Sequence, residues 1–500
     1  MSRRAVLFSA AIVMAAILFP DGTDASSGDF IQLQAAIGVS TVATEGRYTV
    51  SQIVEVAKRG GINVVITEDA FLNRWQYGLW PLRNIIKNTK ETGSICRYGI
   101  RRYLKELALA RLENPGMIIL GGLETAPFYY WTGNPFRPGF AIKDWHKHLL
   151  VIGLEDPKDY RGLPVLGNGT STAKPIGLKS ILYMIASFLA LCAGIVCAYK
   201  GRFARKDVYE RKQGLLLTQW RRFGIILIAA GAILVANGYP FRGFIYDQYH
   251  GDRGAVPYQK LIDYVNSRAG IVFWAHPETK NIEKIGPVSI KTGEHTDLLL
   301  LTRDYTGFAV FHEGYNIVGR PGGIWDRALR EYCGDSRRSP VWAIGAIGYE
   351  KGGDLGESMN NLRTVLLVRK MSAEEALGAL KRGRMYVASG TNASRFRLDA
   401  FTVGDSSARA EATMGQEIAL TGAPRVRIRG HFTGAGASAA AVKILLIRDG
   451  EALAVFEKEA SFDITYDDES AEKNGRHYYR IELRSNGLVL VTNPVFVTRK

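Results

Sequence analysis

The stretch FIQLQAAIGVSTVATEGRYTVSQIVEVAKRGGINVVITEDAF, Phe30 to Phe71, reads as a strand, a helix and a second strand. A short apolar run near Ile31 to Ile37 is followed by a loop with Gly46. A helix then starts at about Val50, with Ile53, Val54, Val56 and Ala57 on one face, and Gly60 and Gly61 stop it. Asn63 to Ile66 is a β-branched run of the kind buried on both faces of a parallel sheet. It ends in Thr67, Glu68 and Asp69, which puts acids at the carboxyl end of a strand.

The pattern recurs outward from this unit. Met117 to Leu120 is an apolar strand running into GGLET, with Glu124 beyond it; His148 opens the strand HLLVIGL; Ile271 to Trp274 leads into AHPE, with His276 beyond it. Phe308 to Phe311 precedes His312 and Glu313, and Val341 to Ile347 precedes Gly348 and Tyr349, while Gly99 to Leu112 and Tyr258 to Ser267 read as helices. Strands alternating with helices, with polar residues gathered at strand ends, predict an α/β fold of about seven strands: a (β/α)7 or (β/α)8 barrel with its site on the carboxyl face.

Two charge-free apolar runs interrupt it, Ile181 to Tyr199 and Phe223 to Gly238, each long enough to cross a bilayer core of about 30 Å. Between them Lys200, Arg202, Arg205, Lys206, Arg211, Lys212, Arg221 and Arg222 outweigh Asp207 and Glu210, which predicts a cytoplasmic connection in a transmembrane hairpin. The competing reading is a helical pair buried in a soluble core. Met1 to Ala25, with Arg3 and Arg4 before an apolar run, has the form of a signal peptide or N-terminal anchor. Both signals put the bulk of the chain outside a bacterial cytoplasmic membrane, on its periplasmic or exterior face.

A net charge of +16 and 47% hydrophobic residues fit a folded, basic protein. Part of that charge serves topology, and the rest suits an anionic small molecule or an acidic lipid surface, with nucleic acid excluded by the compartment. Cys192 and Cys197 fall in the first apolar run, leaving Cys96 and Cys333 free to pair or not. Beyond Gly390, RVRIR at Arg425, the run from Val442, HYYRIEL and LVLVTNPVFV alternate with Asp449-Gly450 and Asn486-Gly487 turns, an all-β module of sandwich type.

TEGRYTVSQIVEVAKRGGINVVITEDA resembles the opening of the polymerase and histidinol phosphatase, or PHP, domain, whose usual form is HxHT, SDGR, a helix ending in AKxxG and a strand ending in TDH. GGLET, HLLVIGL, PYQKLIDYVNSRAGIVFWAHPE and SAEEALGALKRGRMY resemble its later segments. The resemblance implies a (β/α)7 barrel holding up to three metal ions that activate water against phosphate esters. On it the chain divides into a leader at 1–25, a first barrel part at 30–175, the hairpin at 178–238, a second barrel part at 245–390 and a β-sandwich accessory domain at 395–500.

The carry-over is incomplete. The HxH pair falls on Gly38 and Ser40, and the closing Asp-x-His falls near Ala346 to Tyr349, where there is neither acid nor imidazole. Glu124, His148 and His276 are kept, and Glu68 and Asp69 stand in the TDH segment, so the resemblance implies one or two divalent ions, zinc or manganese, on these five residues. His312 and Glu313 are weaker candidates, His146 reads as a satisfied core histidine, and Arg47 and Arg74 lie in loops that offer substitute positive charge. Two readings follow: a binding or scaffolding pseudoenzyme, favoured by the two lost motifs and predicting little hydrolysis of generic phosphate esters, and a metal-dependent phosphoesterase.

Overall fold

The computed structural model describes residues 30–169, 171, 177–203, 211–239, 241, 245–405, 411–433 and 441–500. The leader at 1–25 and residues 204–210 of the basic connection lie outside them. The opening unit forms as patterned. Strands Ile31–Val39 and Val64–Thr67 pair in parallel, Ala35 opposite Val64, with helix Val50–Arg59 between them. Thr49 starts that helix: its hydroxyl accepts from the Gln52 amide, and the Gln52 side chain accepts from the Thr49 amide. Ile53, Val54 and Ala57 are fully buried beneath it.

Two sheets build the α/β part. One holds Ile118–Leu120, Val64–Thr67, Ile31–Val39, Leu362–Val368 and Met385–Ser389 in that order; the other holds Asp69–Ala70, Gly122–Thr125, Leu149–Ile152, Ile271–Trp274, Gly307–Phe311 and Trp342–Gly345. The chain steps from the first to the second at Glu68 and at Gly121. It returns to the first where the amides of Ile347 and Tyr349 donate to the carbonyls of Ile37 and Gly38.

This departs from the regular parallel barrel expected from alternation. Strand Leu149–Ile152 runs antiparallel to both neighbours, with Leu149 opposite Thr125 on one side and Trp274 on the other. A parallel neighbour requires a crossover, usually a helix, whereas residues between Thr125 and Leu149 supply only the short strands Tyr130–Thr132 and Ala141–Lys143. Those strands join Asn281–Ile285 and Val288–Thr292 in a separate small sheet, packed around Trp75, Phe128, Trp131, Phe140 and Tyr246.

From Phe396 to Arg499 the described residues form strands only, as expected. The first sheet nevertheless runs unbroken across residue 390, because Met385–Ser389 pairs with Leu488–Thr492. A second core, including Phe401, Val426, Ile444 and Ile481, fills this part. Asp326 on helix Ile324–Cys333 and Arg480 on strand Gly475–Ser485 join the two parts through a fully buried ion pair of 2.6 Å.

Helices Leu178–Phe203 and Arg211–Gly238 pack against each other. Glycines permit the approach: a Cβ on Gly194 would lie 2.6 Å from the Ile228 amide nitrogen, and one on Gly224 2.4 Å from that of Ala198. Leu182, Leu189, Val196, Ile226 and other large apolar side chains stay exposed. The pair is therefore not enclosed by the rest of the described residues. Leu178–Lys200 and Gln219–Gly238, with mean hydropathies of 2.4 and 1.5, are long and apolar enough to cross a membrane.

Candidate metal centre

The antiparallel strand explains how a histidine that opens a strand meets residues that close strands. Glu124 lies near the carboxyl end of Gly122–Thr125 and His276 just past that of Ile271–Trp274, while His148 precedes Leu149 and so stands at the same edge. His148 Nδ1 is 2.9 Å from Glu124 Oε1 and 3.2 Å from His276 Nε2, and His276 Nε2 is 3.1 Å from Glu124 Oε1. Donors bound about 2.1 Å from one ion stand roughly 3.0 to 3.4 Å apart in octahedral or tetrahedral geometry, so the set fits a single divalent ion. It is the one His/Cys/Asp/Glu cluster with ligating geometry among the described residues.

The electrostatics follow from the crowding. Burial pushes the Glu124 carboxyl up, but His148 and His276, by charge and hydrogen bond, hold it well below the usual carboxylate range. Burial disfavours the His276 imidazolium, yet Glu124 outweighs that and raises it. His276 also adopts φ 28°, a left-handed conformation rare outside glycine that costs of the order of 1 kcal/mol.

Glu68 joins the site and Asp69 does not. Glu68 lines the cavity of about 410 Å³ in front of the cluster, and burial, then Glu124 and Glu350, push its carboxyl well up. A Cβ on Gly38, which has φ +91°, would lie 2.5 Å from Glu68 Oε2, so the Glu68 carboxylate occupies the space where a side chain at 38 would emerge. Asp69 Oδ1 instead accepts from the Thr41 amide at 2.8 Å, the Thr41 hydroxyl at 3.0 Å and the Thr44 hydroxyl at 2.7 Å. These bonds turn it into the 41–48 loop. Its other oxygen, Oδ2, is buried without a hydrogen-bond partner.

Sequence reasoning missed two groups. Glu350 lies one residue beyond the segment taken to lack an acid, and it lines the cavity with Glu68 and Glu124; burial and Glu124 raise its carboxyl. His295 is fully buried beside His276, ring centroids 6.3 Å apart, with both ring nitrogens unpartnered. Burial lowers it to about 3, and it lowers His146, which flanks His148, to about 3 as well. A lone histidine ahead of the apolar run LLLL was the available signal.

The weaker candidates divide. His312 and Glu313 line the cavity, and Glu313 accepts from the Thr279 hydroxyl. Arg74 reaches the adjoining cavity of about 370 Å³, while Arg47 lies exposed over the Tyr48 ring. Cys96 and Cys333 are free thiols, each pushed up to about 12 chiefly by burial.

No protein-family profile and no curated protein matches the chain. Among solved structures, it is similar to a two-domain protein from Bacteroides vulgatus named as containing a predicted PHP-like metal-dependent phosphoesterase, at 10% identity over 91% of each chain and a TM-score of 0.36. A second, from Bifidobacterium adolescentis and named as a candidate metal-dependent phosphoesterase, is 14% identical over 64% of this chain and 89% of its own, with a TM-score of 0.26. Likeness this distant carries no inference about the site or its chemistry.

Proposed function

We propose that the chain is a membrane-anchored phosphoesterase working with one divalent ion, zinc or manganese, held by Glu124, His148 and His276. The observation that carries this is the meeting of one carboxylate and two imidazole donors within 3.2 Å at one sheet edge. A bound ion would supply Lewis acidity toward a phosphoryl oxygen and toward water. Glu68 and Glu350 line the same cavity as the three donors, which puts two further carboxyls where they could move a proton to or from water. The phosphate-ester class comes from the motif resemblance.

The anchor is the hairpin at 178–238, with Lys200 to Arg222 cytoplasmic and the rest outside. Strand pairing between Leu149–Ile152 and Ile271–Trp274 supports a hairpin that returns to its starting face, since segments on either side of it share one sheet; the choice of face rests on the basic connection. A reporter fused after Lys500 and active only in the cytoplasm would refute it.

A second reading, the binding or scaffolding pseudoenzyme, is favoured by Gly38 and Ser40 where the resemblance calls for imidazoles. The two separate on full-length protein loaded with manganese and assayed on p-nitrophenyl phosphate. The phosphoesterase reading expects turnover that Glu124→Gln abolishes together with metal content. Metal retained at full occupancy without turnover selects the pseudoenzyme.

A further inference from the structure

A second, larger cavity lies away from the cluster. About 1560 Å³ in volume, it opens at the foot of the helical hairpin, between Leu178 to Ser180 at the start of one helix and Asn237 at the end of the other. Its wall carries Arg74, Arg83, Lys87, Lys179, Arg253 and Lys260, none of which forms an ion pair among the described residues. The acids present are already engaged: Asp247 with His250 at 2.7 Å, and Asp252 with the Gly254 amide. Arg83 stacks 3.9 Å over the Tyr249 ring, and its buried Nε has no hydrogen-bond partner. Six cations against the two carboxylates of Asp247 and Asp252 leave a net positive wall that suits an anion.

Its surroundings say where that anion comes from. The loop 79–86 is fastened to the hairpin's end, with Asn84 donating to the Asn237 carbonyl at 2.6 Å and Asn237 donating to the Pro81 carbonyl at 3.2 Å. Around this joint Trp80, Ile85, Ile86, Leu178 and Tyr239 are exposed, an apolar and aromatic collar at the level where the helices would leave a bilayer. On the other side Arg74, Tyr129 and Leu166 line both this cavity and the one containing Glu68, Glu124 and His148. These three side chains form a wall common to the two cavities, so the basic cavity lies beside the one that contains the cluster.

We propose that the basic cavity is a headgroup port: it takes the phosphate of a membrane amphiphile whose tail stays in the bilayer, and the amphiphile is the substrate class of the Glu124 site. The assignment rests on the reading of 178–238 as a membrane hairpin and of the cluster as a phosphoesterase centre. It is tested on full-length protein in detergent micelles, measuring binding of dioctanoyl phosphatidate, dioctanoyl glycerol and inorganic phosphate. Phosphatidate should bind best, and Arg83→Ala combined with Arg253→Ala should weaken it by about tenfold or more while thermal stability is kept. Inorganic phosphate binding as tightly as phosphatidate overturns the membrane source, and diacylglycerol doing so overturns the phosphate. Unchanged affinity in the double variant overturns the port. Glu124→Gln should retain phosphatidate binding even where metal is lost, so a failed phosphoesterase reading leaves the port standing and testable by itself.

Discussion

Removing the charge of Asp326 should loosen the union between the α/β part and the C-terminal strands. Its carboxylate accepts from Arg480 Nε at 2.9 Å and Nη2 at 2.6 Å, from the Tyr478 hydroxyl at 2.9 Å and from the Gly322 amide at 2.8 Å. Both side chains are completely buried, and Arg480 also lies 4.7 Å over the Trp325 ring. Asp326→Asn keeps the shape but leaves the guanidinium without a counter-charge and sets an amide NH2 against donors. Stranding a buried charge in this way costs about 3–5 kcal/mol, a large share of a domain's usual stability of about 5–15 kcal/mol. Urea unfolding followed by tryptophan fluorescence, with Trp325 beside the pair, should show the midpoint falling at unchanged slope. Asp326→Leu with Arg480→Met, which replaces the pair by apolar volume, should recover most of the loss. A cost below about 1 kcal/mol for Asp326→Asn would mean that Arg480 finds another partner and that the pair does not hold the seam.

Gly38→Ala should cost about 1–3 kcal/mol and displace Glu68, because its φ of +91° is compounded by the 2.5 Å approach; Gly61→Ala, at φ +68° with nothing within 4 Å, isolates the backbone part, and equal costs measured by denaturation would refute the clash. Glu350→Gln should raise the dissociation constant for manganese by about tenfold in a calorimetric titration, and an unchanged value would remove Glu350 from the site. His477 is held above its ordinary pKa first by its 2.6 Å hydrogen bond to Asp449. A raised folded-state pKa stabilises below the unfolded value of about 6.5 and is lost as pH rises through the folded value, so the stability difference between wild type and His477→Gln should shrink from pH 6 to pH 8.5. A difference that stays flat over that range would show that the pair does not contribute.

What the sequence disclosed and what it withheld have the same physical source. Periodicity located the strand ends, so Glu124 and His276 were legible just where strands close and His148 where one opens. It carries no strand direction, and a β-branched run such as LLVI looks the same parallel or antiparallel; the reversal that brings His148 to the edge of the other two shows only in its register with Thr125 and Trp274. The same limit applies one residue at a time. Side chains alternate across a strand, so of neighbours Glu68 and Asp69 only one faces the cavity, and the choice was made by Thr41 and Thr44, distant hydroxyls that capture Asp69. Glu350 escaped because its strand, Trp342–Gly345, ends earlier than the apolar run suggested, and the next residues bend back to pair with Ile37 and Gly38 before the acid appears.

The hairpin illustrates why so large an interruption leaves that edge intact. Leu149–Ile152 and Ile271–Trp274 pair directly although the whole hairpin separates them in sequence. Closing a longer connection costs only logarithmically with its length, about 0.6 kcal/mol per doubling, whereas both of these strands bury every one of their side chains. Burying one Leu, Val, Ile or Phe side chain contributes about 1.5–3 kcal/mol, so the sheet outweighs the loop and closes across the insertion. The helices therefore leave and re-enter at neighbouring points, and the cavity between those points shares a wall of Arg74, Tyr129 and Leu166 with the cavity that holds the cluster. On this account an anchor placed elsewhere in the chain would tether the protein equally well but would not set a basic cavity between the bilayer and the site. Moving the hairpin to the C-terminus, with a short loop joining Gly169 to Ile245, should keep metal binding while weakening phosphatidate binding; equal phosphatidate affinity in that rearranged chain would mean that the port does not depend on where the helices enter.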